Sequence, residues 1–292
     1  MVTCVAFSPV HAQTLATSSL DNISLWTLSK DGKTAMRHHE LTGHSGLVRS
    51  VAWSSDGTFL LSGSNDKTVR KWRSSTGDCI FAVQTPNWVY AVACSPDNKH
   101  FVSGGDNVSL YVWDSSTGTK TFGPLSGHTN DVYTVAYSPS GRQFISGSDD
   151  NSIIIWDSDT GAKLFGPLTA HSDRILSIAF NPFGKTFVTG SEDRTITIWD
   201  ASTFKPIYKN LLVHSDTVWS LQYSTDGRFI LSTSWDETLR VWDAREGKVL
   251  SEQMSHAWPV WTAAFSPDGR WVASGDEGGQ VKIWEFRVLD SY

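Results

Sequence analysis

Short apolar runs that alternate with polar residues recur along the whole chain, at the spacing of strands. One such run precedes a tryptophan again and again, as in KTVRKW, SIIIW, RTITIW and ETLRVW. A second run ends in serine or threonine about ten residues earlier, as in FLLSGS and QFISGS, and a third precedes turn sequences such as SPDG. A fourth, weaker run follows the tryptophan. This period of two predicts four short strands in each unit and no helix.

The unit repeats seven times, because its closing tryptophan recurs at nearly constant spacing. The seven closing residues are Trp26, Trp72, Trp113, Trp156, Trp199, Trp242 and Trp284. Successive members are 46, 41, 43, 43, 43 and 42 residues apart. A four-stranded sheet with two apolar faces cannot stand alone, whereas sheets arranged in a ring bury their faces against each other. The sequence therefore predicts an all-β, seven-bladed β-propeller of four-stranded antiparallel blades.

The repeat resembles that of the WD-repeat (WD40) β-propeller family. Gly-His pairs stand at Gly43-His44 and Gly127-His128. Trp-Asp pairs stand at Trp113-Asp114, Trp156-Asp157, Trp199-Asp200 and Trp242-Asp243. The resemblance covers essentially the whole chain, which implies one propeller domain over residues 1–292. The expected blades span approximately 1–40, 41–83, 84–125, 126–168, 169–211, 212–253 and 254–292.

The repeat is incomplete at both ends of the sequence. Val2 aligns with Val48, so the first unit begins at its first strand, and only eight residues follow Trp284. The fourth strand of the seventh unit would start near Asp290. We therefore expect an incomplete seventh blade whose third strand, near Gly279 to Glu285, is an open edge. The chain is expected to be a piece of a longer protein or to close its ring through a weakened seventh blade.

Recurring histidine, serine and aspartate residues suggest a catalytic site, but the family resemblance implies a structural network. In the family pattern, a loop histidine bonds a turn aspartate and a strand serine or threonine, which in turn bonds the tryptophan N–H. The four complete sets are His44, Ser62, Asp66, Trp72; His128, Ser146, Asp150, Trp156; His171, Thr189, Asp193, Trp199; and His214, Ser232, Asp236, Trp242. A catalytic triad needs one exposed nucleophile in one cleft, so repetition in every blade indicates packing.

The other three units depart from this pattern. The third unit has Thr85 and Asn107 at the histidine and aspartate positions. The seventh keeps His256 but has Gly278 at the aspartate position, and the first begins too late to include the histidine. The network is therefore expected to be incomplete in these units.

Composition excludes several classes of function. The 30 acidic and 24 basic residues give a net charge of −6, which argues against non-specific nucleic-acid binding. No apolar run is long enough for a transmembrane helix, and the first residues lack the pattern of a secretory signal. The three cysteines indicate free thiols in a reducing compartment, without metal-binding spacing. We predict an intracellular protein, cytoplasmic or nuclear, without cofactor, metal, enzyme activity, nucleic-acid partner or membrane partner.

The 14 tryptophans exceed what the repeat requires. Seven close the repeats, and Trp53 and Trp271 align with aromatic core positions of other units. The five that remain are Trp88, Trp219, Trp235, Trp258 and Trp261. Alignment places them in loops before the first strand, at the second position of that strand, or just before the turn aspartate. In WD-repeat proteins these positions commonly line the so-called top face around the central channel, so we expect the five rings on one face.

Other side chains at equivalent positions extend this surface. Tyr90 and Tyr133 share the strand position of Trp219 and Trp261. The acidic residues of the rim are Asp106, Asp131, Asp149, Glu192 and Glu277, against the basic residues Arg49 and Arg174. Apolar patches mark interaction sites, tryptophan and tyrosine dominate binding hot spots, and aromatic rings with carboxylates attract cations.

The sequence therefore predicts a non-catalytic scaffold whose top face binds a protein or peptide partner with basic residues. It is expected to act within a larger chain or complex. Two alternatives remain open. The rings could pack only on each other and close the channel mouth. The propeller could also be an enzyme with its active site at the channel, which converging carboxylates of raised pKa or a metal cluster would indicate.

Overall fold

The computed structural model describes residues 1–212, 214–250 and 254–286 of the chain. These residues form seven antiparallel sheets, and the first strands of neighbouring sheets contact one another around a closed ring. The predicted seven-bladed β-propeller is therefore confirmed. The described residues include no helix, and hence none of the length and apolarity that crossing a membrane requires.

The first four blades contain four strands each, paired in chain order. Blade 1 contains β1 (Cys4–Phe7), β2 (Thr14–Ser19), β3 (Asn22–Leu28) and β4 (Ala35–Leu41). Blade 2 contains β5 (Val48–Trp53), β6 (Phe59–Ser64), β7 (Thr68–Arg73) and β8 (Cys79–Gln84). Blade 3 contains β9 (Val89–Cys94), β10 (His100–Gly105), β11 (Leu110–Asp114) and β12 (Lys120–Phe122). Blade 4 contains β13 (Val132–Tyr137), β14 (Gln143–Ser148), β15 (Ile153–Asp157) and β16 (Lys163–Leu168).

Blade 5 repeats this arrangement, whereas blades 6 and 7 differ at their outer edges. Blade 5 contains β17 (Ile175–Phe180), β18 (Thr186–Ser191), β19 (Thr195–Asp200) and β20 (Pro206–Leu212). Blade 6 contains β21 (Val218–Tyr223), β22 (Phe229–Ser234), β23 (Thr238–Asp243), β24 (Lys248–Val249) and β25 (Met254–Ser255). Both β24 and β25 pair with β23. Blade 7 contains β26 (Val260–Phe265), β27 (Trp271–Asp276) and β28 (Val281–Glu285).

Blade 7 closes the ring against blade 1. Among the described residues β28 pairs with β27 and with no second strand, and the fourth strand expected near Asp290 lies outside them. The backbone N–H of Val2 donates to the carbonyl of Asp276 at 2.9 Å, and that of Val5 donates to Thr262 Oγ1 at 3.0 Å. Backbone contacts of blade 1 thus join the first and last blades directly.

The hydrophobic core lies between neighbouring blades and is divided into seven clusters. Trp72 of blade 2 packs with Leu41 of blade 1, and the corresponding cluster at the closure joins Trp271 of blade 7 to Val5 and Phe7 of blade 1. Each sheet therefore depends on its neighbours for burial of its apolar faces, as the repeat predicts.

A β-bulge turns one side chain of the innermost strand towards the channel. In blade 6, Val218 pairs with Ser234 and Ser220 pairs with Thr233, so Trp219 between them has no residue opposite. A bulge of this kind re-aims the side chain of the extra residue. The residues at this position in blades 2 to 7 are Arg49, Tyr90, Tyr133, Leu176, Trp219 and Trp261.

Candidate functional site

Buried hydrogen-bond networks connect the strands and loops of the blades. In blade 4, the Trp156 N–H donates to Ser146 Oγ at 2.8 Å. His128 contacts Ser146 through Nε2 at 2.7 Å and Asp150 through Nδ1 at 3.0 Å. The same contacts link His44, Ser62, Asp66 and Trp72; His171, Thr189, Asp193 and Trp199; and His214, Ser232, Asp236 and Trp242. All four histidines are buried, with at most 7% of their surface exposed.

Blade 7 contains a fifth network. His256 Nδ1 lies 2.8 Å from Asp276 Oδ2, and its Nε2 lies 2.7 Å from Ser274 Oγ, which accepts the Trp284 N–H. The expectation that this unit lacks a carboxylate because Gly278 stands at the aspartate position is therefore wrong. The carboxylate comes from the last residue of β27, and Asp276 is only 1% exposed.

The direction of the hydrogen bonds follows from the chemistry of the two ends. An indole N–H can only donate and an ionised carboxylate can only accept, so neutral histidine donates through Nδ1 and accepts through Nε2. Burial lowers the pKa of His44 and His256, although their aspartate partners oppose the change. Burial alone would raise the pKa of Asp66, but hydrogen bonds from Thr68 and His44 outweigh it, and the pKa is lowered. In blade 2, the folded protein therefore holds neutral His44 beside ionised Asp66.

This arrangement predicts a loss of stability in mild acid. The unfolded chain takes up protons on these histidines below about pH 6.5, whereas the folded chain, with the lowered pKa of His44 and His256, does not. The free energy of unfolding should therefore fall between pH 7.5 and pH 5.5, because protons bind His44 and His256 more readily in the unfolded chain than in the folded one. Urea unfolding at the two pH values measures the change. The difference in unfolding free energy between the two pH values should be smaller in His256→Gln. It should be unchanged in the control His11→Gln, because His11 is exposed. Equal stability at both pH values would contradict the assignment.

The top face carries the loops before the first strands and the turns between the second and third strands. Trp235 lies in such a turn, and its backbone N–H donates to the carbonyl of Thr217 in the preceding loop at 3.1 Å. An equivalent hydrogen bond, from the backbone N–H to a carbonyl of the preceding loop, is made by Asp106, Asp149, Glu192 and Glu277. The fold thus fixes the backbone here and leaves the side chain free to vary, which explains why tryptophan can replace a polar residue.

Three of the five surplus tryptophans form one cluster on blades 6 and 7. Trp219 stacks on Trp235 with ring centroids 5.2 Å apart, and Trp261 meets Trp219 edge-on at 4.3 Å. These distances leave no room for a ligand between the rings, so any ligand must lie on the outside of the cluster. Trp258 stands apart against Gly278, where an added Cβ would come within 2.4 Å of the indole.

A second aromatic group lies across the channel on blades 3 and 4. The rings of Tyr90 and Tyr133 are stacked at 4.8 Å, and Trp88 meets Tyr90 edge-on at 6.5 Å. Arg49 lies with its guanidinium carbon 5.6 Å from the centre of the Tyr90 ring. The predicted top-face aromatics are therefore divided into two groups by the channel.

The acidic rim is partly neutralised within the protein. Arg174 pairs with both Asp149 and Glu192. Burial raises the pKa of Asp149, although its partner Arg174 opposes the change. Asp106, Asp131 and Glu277 form no ion pair within the described part of the chain. The unpaired negative charge of the top face is thus smaller than the sequence suggests, and these three carboxylates lie on blades 3, 4 and 7.

The enzyme alternative predicts a metal cluster or a set of free carboxylates at the channel. No group of three potential metal-ligating side chains occurs among the residues that the structure describes. Asp149, the rim carboxylate with a raised pKa, is held in an ion pair with Arg174. The geometry therefore offers an interaction surface more readily than an acid–base site.

The chain matches a known family along most of its length. The family is described as WD domain, G-beta repeat, and the matches cover residues 36–73, 77–114, 119–157, 162–200, 205–243 and 247–285. Together they account for more than half of the chain. Each matched segment combines the outer strand of one blade with the three inner strands of the next, because the sequence repeat and the blade are out of phase.

Similar proteins share short segments with this chain. Small ribosomal subunit protein RACK1 of Brassica napus is 45% identical over 74 residues, which is 25% of this chain and 23% of the relative. The protein of the same name in Dictyostelium discoideum is 40% identical over 79 residues, 26% and 24% of the two chains. Ribosome biogenesis protein BOP1 homolog of Drosophila erecta is 51% identical over 43 residues, 15% and 6%. The chain therefore spans about a quarter or less of these relatives' lengths.

Proposed function

The chain belongs to the WD40-repeat family, and from this premise we propose that it is a non-catalytic scaffold that binds a protein or peptide on its top face. The observation that carries the proposal is the exposure of large aromatic rings on that face. Trp88, Trp235 and Trp258 are 42%, 37% and 56% exposed. Apolar surface of this kind is unfavourable in water unless a partner covers it, and tryptophan is the residue most enriched at binding hot spots.

The charges of the same face favour a partner with basic residues. Asp106, Asp131 and Glu277 bring negative charge to the rim without an ion-pair partner among the described residues. Lysine or arginine on the partner would meet these carboxylates and the aromatic faces together. The same carboxylates would repel the phosphate backbone of a nucleic acid. We therefore propose that the partner is a protein and not a nucleic acid.

The relatives support an interaction role at the level of the repeat. Their names connect them with the ribosome and with ribosome biogenesis, and such proteins act inside the cell within large assemblies. The shared segments are only one or two repeats long. We therefore propose an interaction role inside the cell for this chain, and we propose no role at the ribosome. The proposal also holds that the protein is no enzyme, since its recurring histidines are buried in structural networks.

The proposal is tested by comparing three baits in affinity capture with quantitative mass spectrometry. Wild type is compared with the top-face variant Trp235→Ala/Trp258→Ala. The matched control, Phe183→Ala, removes a ring that is 67% exposed in the turn between β17 and β18, at the opposite end of the blade. Partners of wild type should fall at least tenfold with the top-face variant and remain with the control. The proposal would be contradicted if the top-face variant still captured these partners and the Phe183→Ala control lost them.

A further inference from the structure

Seven side chains surround the mouth of the channel, one from each blade; six lie on the innermost strands, and the seventh immediately precedes β1. They are Thr3, Arg49, Tyr90, Tyr133, Leu176, Trp219 and Trp261, and they line a cavity of about 170 Å³. The volume suits one side chain of a partner and no larger body. Six of these seven side chains are uncharged, so Arg49 is the one charged group among them.

Arg49 is held in place without being neutralised. Its Nε donates to Asn65 Oδ1 at 3.1 Å, and its guanidinium lies over the Tyr90 ring. Within the described part of the chain, no carboxylate oxygen lies within 4.0 Å of it, in contrast to Arg174, which pairs with two carboxylates. The remaining guanidinium N–H groups are therefore fixed donors that lack a charged acceptor.

The neighbouring tyrosines add two more donors. The hydroxyls of Tyr90 and Tyr133 make no hydrogen bond to any described residue, and the stacked rings fix their positions. Burial raises the pKa of Tyr90 to about 12 and also raises that of Tyr133, so both remain protonated at neutral pH. The Arg49 guanidinium and the two tyrosine hydroxyls therefore line the same wall of the cavity, and none of the three groups has a charged acceptor among the described residues.

We propose, on the basis of the function proposed above, that this wall binds the side-chain carboxylate of an aspartate or glutamate in the partner peptide. A carboxylate matches the guanidinium fork of Arg49, and the tyrosine hydroxyls can donate to it as well. Asp106 and Asp131 lie close enough to Tyr90 to act on its hydroxyl, and they repel a doubly charged phosphate more strongly than a singly charged carboxylate. The ligand is thus one acidic residue flanked by basic ones.

The layout of the face favours a side chain over a chain terminus. The tryptophan cluster of Trp219, Trp235 and Trp261 lies on one side of the channel mouth, and the unpaired Asp106 and Asp131 lie on the other. A peptide that meets both must cross the mouth, so the group that enters the cavity projects from the middle of the peptide.

The inference is tested by selection from a library of C-terminally amidated heptapeptides, in which only side chains supply carboxylates. Wild type is compared with Arg49→Gln, with Arg49→Lys, and with the control Arg142→Gln, which changes an exposed arginine in the turn between β13 and β14 at the opposite end of the blade. Wild type and Arg142→Gln should both enrich peptides with one central Asp or Glu beside Lys or Arg. Arg49→Gln should lose the preference for a central Asp or Glu and keep the preference for Lys or Arg. Arg49→Lys should keep part of the preference for a central Asp or Glu.

A double-mutant cycle on one selected peptide then measures the contact. Changing its glutamate to glutamine should weaken binding to wild type about tenfold or more, and should leave binding to Arg49→Gln nearly unchanged. Enrichment of basic peptides without an acidic preference would overturn this inference while the proposed function stands. If no peptides are enriched, or if enrichment survives Trp235→Ala/Trp258→Ala, both are overturned.

Discussion

Replacing Trp156 with alanine is expected to lower the free energy of unfolding by about 3–5 kcal/mol. The ring is 1% exposed and stacks on Phe144, with centroids 6.2 Å apart. Its N–H also anchors the network through Ser146, so the substitution leaves a cavity between blades and a buried hydroxyl without its donor. Urea unfolding measures the loss.

Trp235→Ala is the matched comparison, since it removes the same ring from the surface. Trp235 is 37% exposed and contacts mainly other rings of the top face, so we expect a loss of about 1 kcal/mol. Equal losses in the two variants would mean that Trp235 belongs to the core and is not available to a partner.

Asp276→Ala should destabilise the protein by about 2–4 kcal/mol, although no repeat alignment assigns this residue to a network. Its carboxylate accepts from His256 and from the backbone N–H of Gln280, and it is buried. Without it, the buried histidine loses its acceptor. Urea unfolding of Glu277→Ala provides the control, because the adjacent Glu277 is exposed and its loss should change little. Similar behaviour of the two variants would contradict the fifth network.

The fold could be predicted from the sequence because each blade repeats the same physical problem. Alternating apolar residues, a turn and a closing tryptophan recur at nearly constant spacing, so an error in one unit is corrected by the others. Asp276 was missed for the opposite reason. It lies 20 residues after His256, where other blades have a separation of 22, and only the folded turn brings its carboxylate to the imidazole.

The candidate site was predictable in its positions and less so in its contacts. Alignment places Trp219 and Trp261 on one face, but it does not indicate that a bulge turns these side chains to the channel. The alignment also does not indicate that Arg174 forms ion pairs with two acidic residues of the rim, whereas Arg49 forms none among the described residues. Pairings across blades depend on side-chain geometry, and a period along the chain contains no information about it.

Oxidative footprinting of a complex tests the central claim most directly, because the exposed aromatic rings report on their own burial. In the free protein, Trp88, Trp235 and Trp258 on the top face and Phe183 at the opposite end should all be oxidised readily. With a partner obtained by affinity capture, the account predicts protection of the three tryptophans and unchanged oxidation of Phe183. Unchanged oxidation of the tryptophans, with protection of Phe183 or of the exposed Phe165 on the outer strand of blade 4, would contradict it.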